Sequence, residues 1–193
     1  MRNIVHSSIA KSALFLAILL ASAQTASAQA LITAGRGSEI APFAQTTLIN
    51  PDWGQTNNIG YTVGIDYTRY IRSIVQPSIE VRITSANGKV VNERTYSGGL
   101  KLQTTIHGIH PYATLLVGYG TIAFNYPNGN YTGDDSVIYA YGGGADFNVT
   151  SQWKLRLDFS QQNWNLGTNA SLTPMALGIG VSYSLPFHNG RVR

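Results

Sequence analysis

Four histidines, a pair of adjacent aspartates and a set of alternating charges are the residues of this 193-residue chain that could do chemistry; there is no cysteine. His107 and His110 flank Gly108, close enough in sequence to share a metal. A zinc centre takes three or four protein ligands, and no third donor accompanies these two. No serine stands with them in a nucleophile arrangement. They read as polar residues of a tight turn. His6 falls in the first segment of the chain and His188 in its last. Asp134 and Asp135 could contribute to a calcium site, but two neighbouring carboxylates fall well short of the about 6–8 oxygens calcium takes, and they read as a solvated loop. No catalytic residue, cofactor or metal site is expected.

The remaining charges follow a rule. In the stretch from Trp153 to Gln161, Trp153, Leu155, Leu157 and Phe159 occupy odd positions, and Lys154, Arg156, Asp158 and Ser160 occupy even ones. A period of two marks a β-strand with one apolar and one polar face, because successive side chains point to opposite sides. The same parity places Asp66, Glu80, Arg82, Lys101 and Asp146 opposite bulky apolar residues in other segments. Four acids and four bases then share one face: Asp66, Glu80, Asp146 and Asp158 against Arg82, Lys101, Lys154 and Arg156. Such balance suits charges enclosed together, since a buried charge persists when paired and hydrogen-bonded. The expected arrangement is a salt-bridge network filling a narrow lumen.

Eight segments carry the alternation, over 39–50, 58–69, 76–85, 96–107, 110–125, 136–149, 153–164 and 173–187, and no helical period interrupts them. This predicts an all-β meander. Prolines 42, 77, 111, 174 and 186 are read as lying near strand ends, where a missing N–H costs least. The connections over 50–57, 86–94, 126–135 and 165–169 read as polar loops, mostly long, and those over 70–73, 107–110 and 150–152 as tight turns. With an even strand count, both termini fall at the tight-turn end.

Ahead of this domain, Arg2 and Lys11 precede an apolar run from Ser12 to Ala21, and Ala26-Ser27-Ala28 provides small residues for cleavage. That order reads as a signal peptide over 1–28. A flexible lead-in over 29–38, a barrel over 39–187 and a tail over 188–193 complete the division. The export segment carries two of the 13 basic residues and none of the nine acids, so the rest of the chain is nearly neutral and nucleic acid is not an expected partner. Charged residues make up 11% of the chain against roughly 25% in ordinary soluble domains, too few to keep a soluble surface charged.

The facing of the strands follows from volume. Four or five bulky groups on most strands would overfill an eight-stranded barrel, whose interior is only just wide enough for side chains. The Gly, Ala, Ser and Thr face fits inside, and the apolar face is expected to meet lipid. Aromatic residues gather near both strand ends: Tyr67, Tyr70, Trp153, Tyr183 and Phe187 at one, and Tyr61, Tyr96, Phe124, Tyr126, Tyr139 and Trp164 at the other. They read as interfacial girdles, with Tyr61, Tyr67, Trp153, Tyr183 and Phe187 as membrane-interface residues. The first segment alternates poorly and gives no clear facing.

Two regions carry a family resemblance. The Gly-rich segment from Tyr141 to Val149, its turn Thr150-Ser151-Gln152 and the strand from Trp153 to Phe159 form one; Gly178 to Phe187, ending Tyr183-Ser184-Leu185-Pro186-Phe187, form the other. The chain resembles the small eight-stranded outer-membrane barrels of the OmpA-like and OmpX-like transmembrane-domain family. His188 to Arg193 depart from it, since many relatives stop at the terminal aromatic. The resemblance implies an antiparallel up-and-down transmembrane β-barrel in the bacterial outer membrane, without catalysis or cofactor. It implies outer-membrane lipid and the barrel-insertion machinery as partners, a monomer, and a structural or surface-interaction role through long extracellular loops and their unidentified ligand. The alternatives are a soluble lipocalin-like barrel holding an apolar ligand and a small conducting pore. The first would need its apolar face turned inward, and the second an opening that eight strands do not leave.

Overall fold

The alternating segments pair with their sequence neighbours as antiparallel strands. The computed structural model describes residues 37–52, 57–71, 74–125, 131–166 and 170–187. The segment expected to be a signal peptide over 1–28, the expected lead-in up to residue 36 and the tail over 188–193 lie outside the described residues. The strands are β1 (Ser38–Asn50), β2 (Asn58–Arg69), β3 (Gln76–Asn87), β4 (Val91–Gln103), β5 (Ile109–Asn125), β6 (Tyr131–Asn148) and β7 (Trp153–Leu166). An eighth strand runs in three pieces, β8a (Ala170–Leu172), β8b (Met175–Tyr183) and β8c (Leu185–Phe187). Each strand pairs with the next, and β8b and β8c pair with β1, which closes an eight-stranded up-and-down barrel with no helix among the described residues.

Proline explains the interruptions of β8. The β1–β8 ladder runs up to Phe43↔Ser182 and resumes at Ile40↔Leu185, skipping Ala41 and Pro42 on β1 and Tyr183 and Ser184 on β8. Pro42 has no N–H to donate there, and Ser184 gives its own N–H to the Gln152 carbonyl at 2.7 Å. Pro174 makes the other break, yet its carbonyl still accepts from Gln162 N–H at 2.9 Å. At the opposite pole of regularity, Ile106 and Ile109 bridge across a two-residue turn with positive φ at both His107 (50°) and Gly108 (84°). That backbone fits the twist of a two-residue hairpin, and glycine adopts it without steric cost.

The strands extend further than the alternation indicated at one end. The span 86–94, read as a loop, is mostly strand: β3 and β4 pair up to Asn87↔Asn92 with only residues 88–90 between them. The β4 boundary moves accordingly, from 96–107 to Val91–Gln103. The polarity of Asn92, Glu93 and Arg94 disguised a strand that has left the lipid-facing zone. Likewise β6 begins at Tyr131, so Asp134 and Asp135 belong to a strand, in register with Ile122 and Thr121. The contrast of long loops with short turns gives way to strands of unequal reach.

The bulky apolar side chains point outward. Leu115 is 67% exposed, Leu100 60% and Ile59 64%, while the alternate positions are closed off inside the barrel. This facing is the reverse of the one that a soluble lipocalin-like barrel would need. Strand β1 also takes sides: Glu39, Ala41, Phe43, Gln45, Thr47 and Ile49 point inward. Its large inward groups need space, and glycine supplies it. A Cβ at Gly64 would stand 2.4 Å from the Phe43 ring, and one at Gly120 2.4 Å from the Trp164 ring.

Candidate functional site in the barrel lumen

All eight charged residues of the polar face are buried within the barrel: Asp66, Glu80, Arg82, Lys101, Asp146, Lys154, Arg156 and Asp158. Strand alternation aims them inward from five different strands. Arg156 on β7 is the centre. Its Nε donates to Asp146 Oδ1 at 2.8 Å and its Nη2 to Asp146 Oδ2 at 2.9 Å, a two-toothed contact with the neighbouring strand. The same Nη2 crosses the lumen to Asp66 Oδ2 at 2.5 Å, and Nη1 lies 3.7 Å from Glu80 Oε2. Lys101 on β4 bonds Asp66 at 2.7 Å and Asp146 at 3.3 Å. Arg82 on β3 pairs with Glu80 beside it and reaches Asp158 on β7 at 2.9 Å.

This layer holds four carboxylates and three cations, and the shortfall falls on neutral groups. Tyr112 donates its hydroxyl to Asp158 Oδ1 at 2.8 Å. Its ring also lies 4.1 Å from Lys101 Nζ, and the Phe43 ring lies 4.0 Å from the Arg156 guanidinium. Aromatic faces attract cations, more strongly where water is excluded. The alternation gave no sign of Phe43 or Tyr112 as members of this site, because an aromatic residue in a strand is read first as outward-facing.

The eighth charge, Lys154, stands apart from the layer. It bonds Glu39 Oε1 at 2.7 Å near the short-turn end, where Ser184 and Tyr70 also donate to Glu39 at 2.9 and 2.7 Å. Glu39 was missed because β1 alternates too weakly to show its facing. Tyr70 turns to this carboxylate instead of joining an interfacial girdle. A bowl lined by Tyr70, Thr105, His110, Asn148, Ser151 and Lys154 opens beside it. His110 accepts or donates at Nδ1 with Thr105 Oγ1, 3.0 Å away, and no group of three potential metal ligands forms among the described residues.

Above the charges, seen towards the opposite end, comes a hydroxyl layer. Thr47, Thr62 and Thr84 chain their hydroxyls across β1, β2 and β3 at 2.8 and 2.9 Å. The cavity here has 10 Å³, about the space of one water. Beyond it the lumen turns apolar. Val91, Ile122, Phe124, Ile138, Trp164 and Leu172 pack into one cluster, and Ile49, Ala86 and Ala176 into another. Phe124 and Trp164 therefore point into the barrel and are not girdle residues. Trp164 is fully buried over Gly120, with its indole N–H on Gln162 Oε1 at 2.9 Å.

The remaining aromatics stand on the outer wall. Tyr61, Tyr67, Tyr96 and Tyr139 are exposed, and Tyr96 pairs in register with exposed Tyr119. Trp153 and Tyr183 are half-buried against each other, edge to face, with centroids 4.9 Å apart. Phe187 pairs with Ser38 through its backbone; its side chain and Tyr126 lie outside the described residues.

Comparison with known proteins agrees with this architecture. Solved structures with the same fold include Neisserial surface protein A, at 13% identity and TM-score 0.53, covering 79% of this chain and 99% of that one. Ail, the attachment invasion locus protein of Yersinia pestis, matches at 18% identity and TM-score 0.53, covering 78% of this chain and 99% of its own. The N-terminal β-barrel domain of Pseudomonas aeruginosa OprF matches at 13% identity and TM-score 0.51, over 78% and 99%. Curated protein sequences give no significant match. The family model for the outer membrane protein beta-barrel domain matches residues 12–184. A closed antiparallel barrel with an apolar outer wall and a charge-filled lumen, together with that match over most of the chain, establishes that the protein belongs to the outer-membrane β-barrel family.

Proposed function

We propose that this protein is a non-enzymatic, non-conducting outer-membrane barrel whose role is interaction at the cell surface, with the lumen charges as a plug and the extended hairpins as the contact surface. The observation that carries the reading is the ribbon of β5 and β6. These strands pair continuously up to Asn125↔Tyr131, whereas no described residue of β7 pairs with β6 above Ile138↔Trp164. The ribbon thus projects past its neighbour and presents a strand edge, which can accept an extended segment of a partner by strand addition. Asp134 and Asp135 lie on this edge, so a basic or neutral partner segment fits better than an acidic one.

Proline tests the edge. Asp135 gives its backbone N–H to the Asp134 side chain at 2.8 Å. Asp135→Pro therefore removes a donor that already serves a local contact and places an obstacle on the edge. Cells carrying either barrel are compared for binding to a panel of purified proteins and glycans, with heat-modifiable gel mobility as the check on folding. Loss of a wild-type interaction in the folded variant supports the reading. Undiminished binding in the variant, or none in either, leaves a structural role.

The plug follows from the cross-lumen contacts of Arg156, Lys101 and Arg82, and planar-bilayer recordings test it: steady conductance in the unmodified barrel refutes it. Export by cleavage after Ala28, insertion by the envelope's barrel-assembly machinery and a monomeric state in outer-membrane lipid belong to the same reading. A mature N-terminus at Gln29 is the expected result of sequencing the protein from outer membranes.

A further inference from the structure

Every internal acid in the lower lumen has a cationic partner, but one acid higher up has none among the described residues. Glu93 on β4 points inward between Val91 and Thr95, is 3% exposed, and makes no hydrogen bond through either carboxylate oxygen. Its register partners are Ala86 on β3 and Ile122 on β5, one from each of the two apolar clusters that close the upper lumen. Glu93 is therefore set into the seam of the lid.

No cation faces it. In register it lies between Ala86 on β3 and Ile122 on β5, and the next inward residue of β4, Thr95, lies between Thr84 and Gly120. Arg82 is the next inward charge on β3 and pairs with Ser97, four residues further along β4, roughly 13 Å away at the rise of a strand. Arg94 follows Glu93 in sequence and points to the outside. Asp134 stands beyond Ile122 on the same row, half-exposed, and as a second acid it can only disfavour a charge on Glu93. On β4 the outward apolar run ends at Tyr96, so Glu93 lies above the lipid-facing zone. Burial alone pushes its carboxyl up to about 7.

We propose that Glu93 is a proton-binding site that latches the apolar lid. With the proton on, the neutral carboxylic acid stays within the lid and the upper lumen is dry. With the proton off, the carboxylate requires water or a small cation, because an unpaired charge in an apolar setting is strongly disfavoured. Hydration of the seam between Ala86 and Ile122 then loosens the packing around Trp164. The latch responds to the pH outside the lipid-facing zone, and it is independent of the charge layer beneath.

The experiment uses the whole mature barrel refolded in lipid vesicles. Trp53→Phe and Trp153→Phe leave Trp164 as the sole indole. Acrylamide quenching of Trp164 is followed from about pH 5.5 to about pH 8.5, a window that brackets the titration of a buried carboxyl. The expected result is weak quenching at the acid end and severalfold stronger quenching at the alkaline end, with a midpoint near 7. Glu93→Gln, which keeps the shape and cannot ionise, is expected to hold quenching low throughout. Glu93→Leu serves the same purpose through an apolar side chain, and heat-modifiable mobility shows which variants have folded. Quenching that does not vary with pH in the parent, or that varies equally in a folded Glu93 variant, overturns the proposal.

Discussion

Near the short-turn end, the lumen is held by Arg156 reaching from β7 to Asp146, Asp66 and Glu80; near the other end, the same inner wall carries Trp164, Ile138, Phe124 and Leu172 with hardly a polar atom among them. The two regions close one tube by different physics. A charge layer is directional: each cation touches acids on several strands, so it ties opposite walls together and fixes their register. Its weakness is that loss of one partner strands the others in a medium that punishes unpaired charge. An apolar lid is not directional and tolerates small shifts, but it depends on close packing and excludes any group that must ionise. Among the described residues, Glu93 is where the second region breaks that rule.

Substitutions in the two regions should separate these behaviours. Arg156→Ala is expected to have the largest effect, a loss of about 3–5 kcal/mol, because Asp66 and Asp146 lose a partner from within a buried network. Urea unfolding in lipid vesicles measures it, and a loss under about 1 kcal/mol would mean that water already solvates the layer. Trp164→Ala should cost about 3 kcal/mol through the cavity left over Gly120, with little dependence on salt. A strong salt dependence in that variant would show that the lid is coupled to the charges below it.

Gly120→Ala probes the lid from the other side. Its Cβ would stand 2.4 Å from the Trp164 ring, so overpacking of about 1–3 kcal/mol is expected by the same assay. The combination with Trp164→Ala should cost less than the sum of the two, since the added methyl then has room. Lys154→Met at the short-turn mouth is expected to cost less than Arg156→Ala, about 1–3 kcal/mol, because Ser184 and Tyr70 still donate to Glu39. Equal losses for the two would place the mouth pair in the same cooperative unit as the charge layer. The smallest effect belongs to the outer wall: Trp153→Ala removes an edge-to-face pair with Tyr183 and should cost about 1 kcal/mol.

The alternation of Lys154, Leu155, Arg156, Leu157 and Asp158 suffices to predict a strand, its two faces and the residues on each, because side-chain direction in a strand depends only on position. The low charge content narrows the setting to one where the apolar face meets lipid. Sequence also placed the lumen acids and bases on one face. It could not pair them: that Arg156 meets Asp66 across 90 residues is a property of barrel closure and strand tilt, which bring β7 opposite β2. Glu39, Phe43 and Glu93 escaped for a related reason. Their strand segments lie where lipid contact has ended or β1 closes against β8, and there both faces of a strand carry mixed residues. Only the closed barrel decides that Trp164 points in and Tyr139 out, since local β-propensity favours an aromatic residue equally on either wall, and the interior has room for the Trp164 ring because Gly120 stands against it.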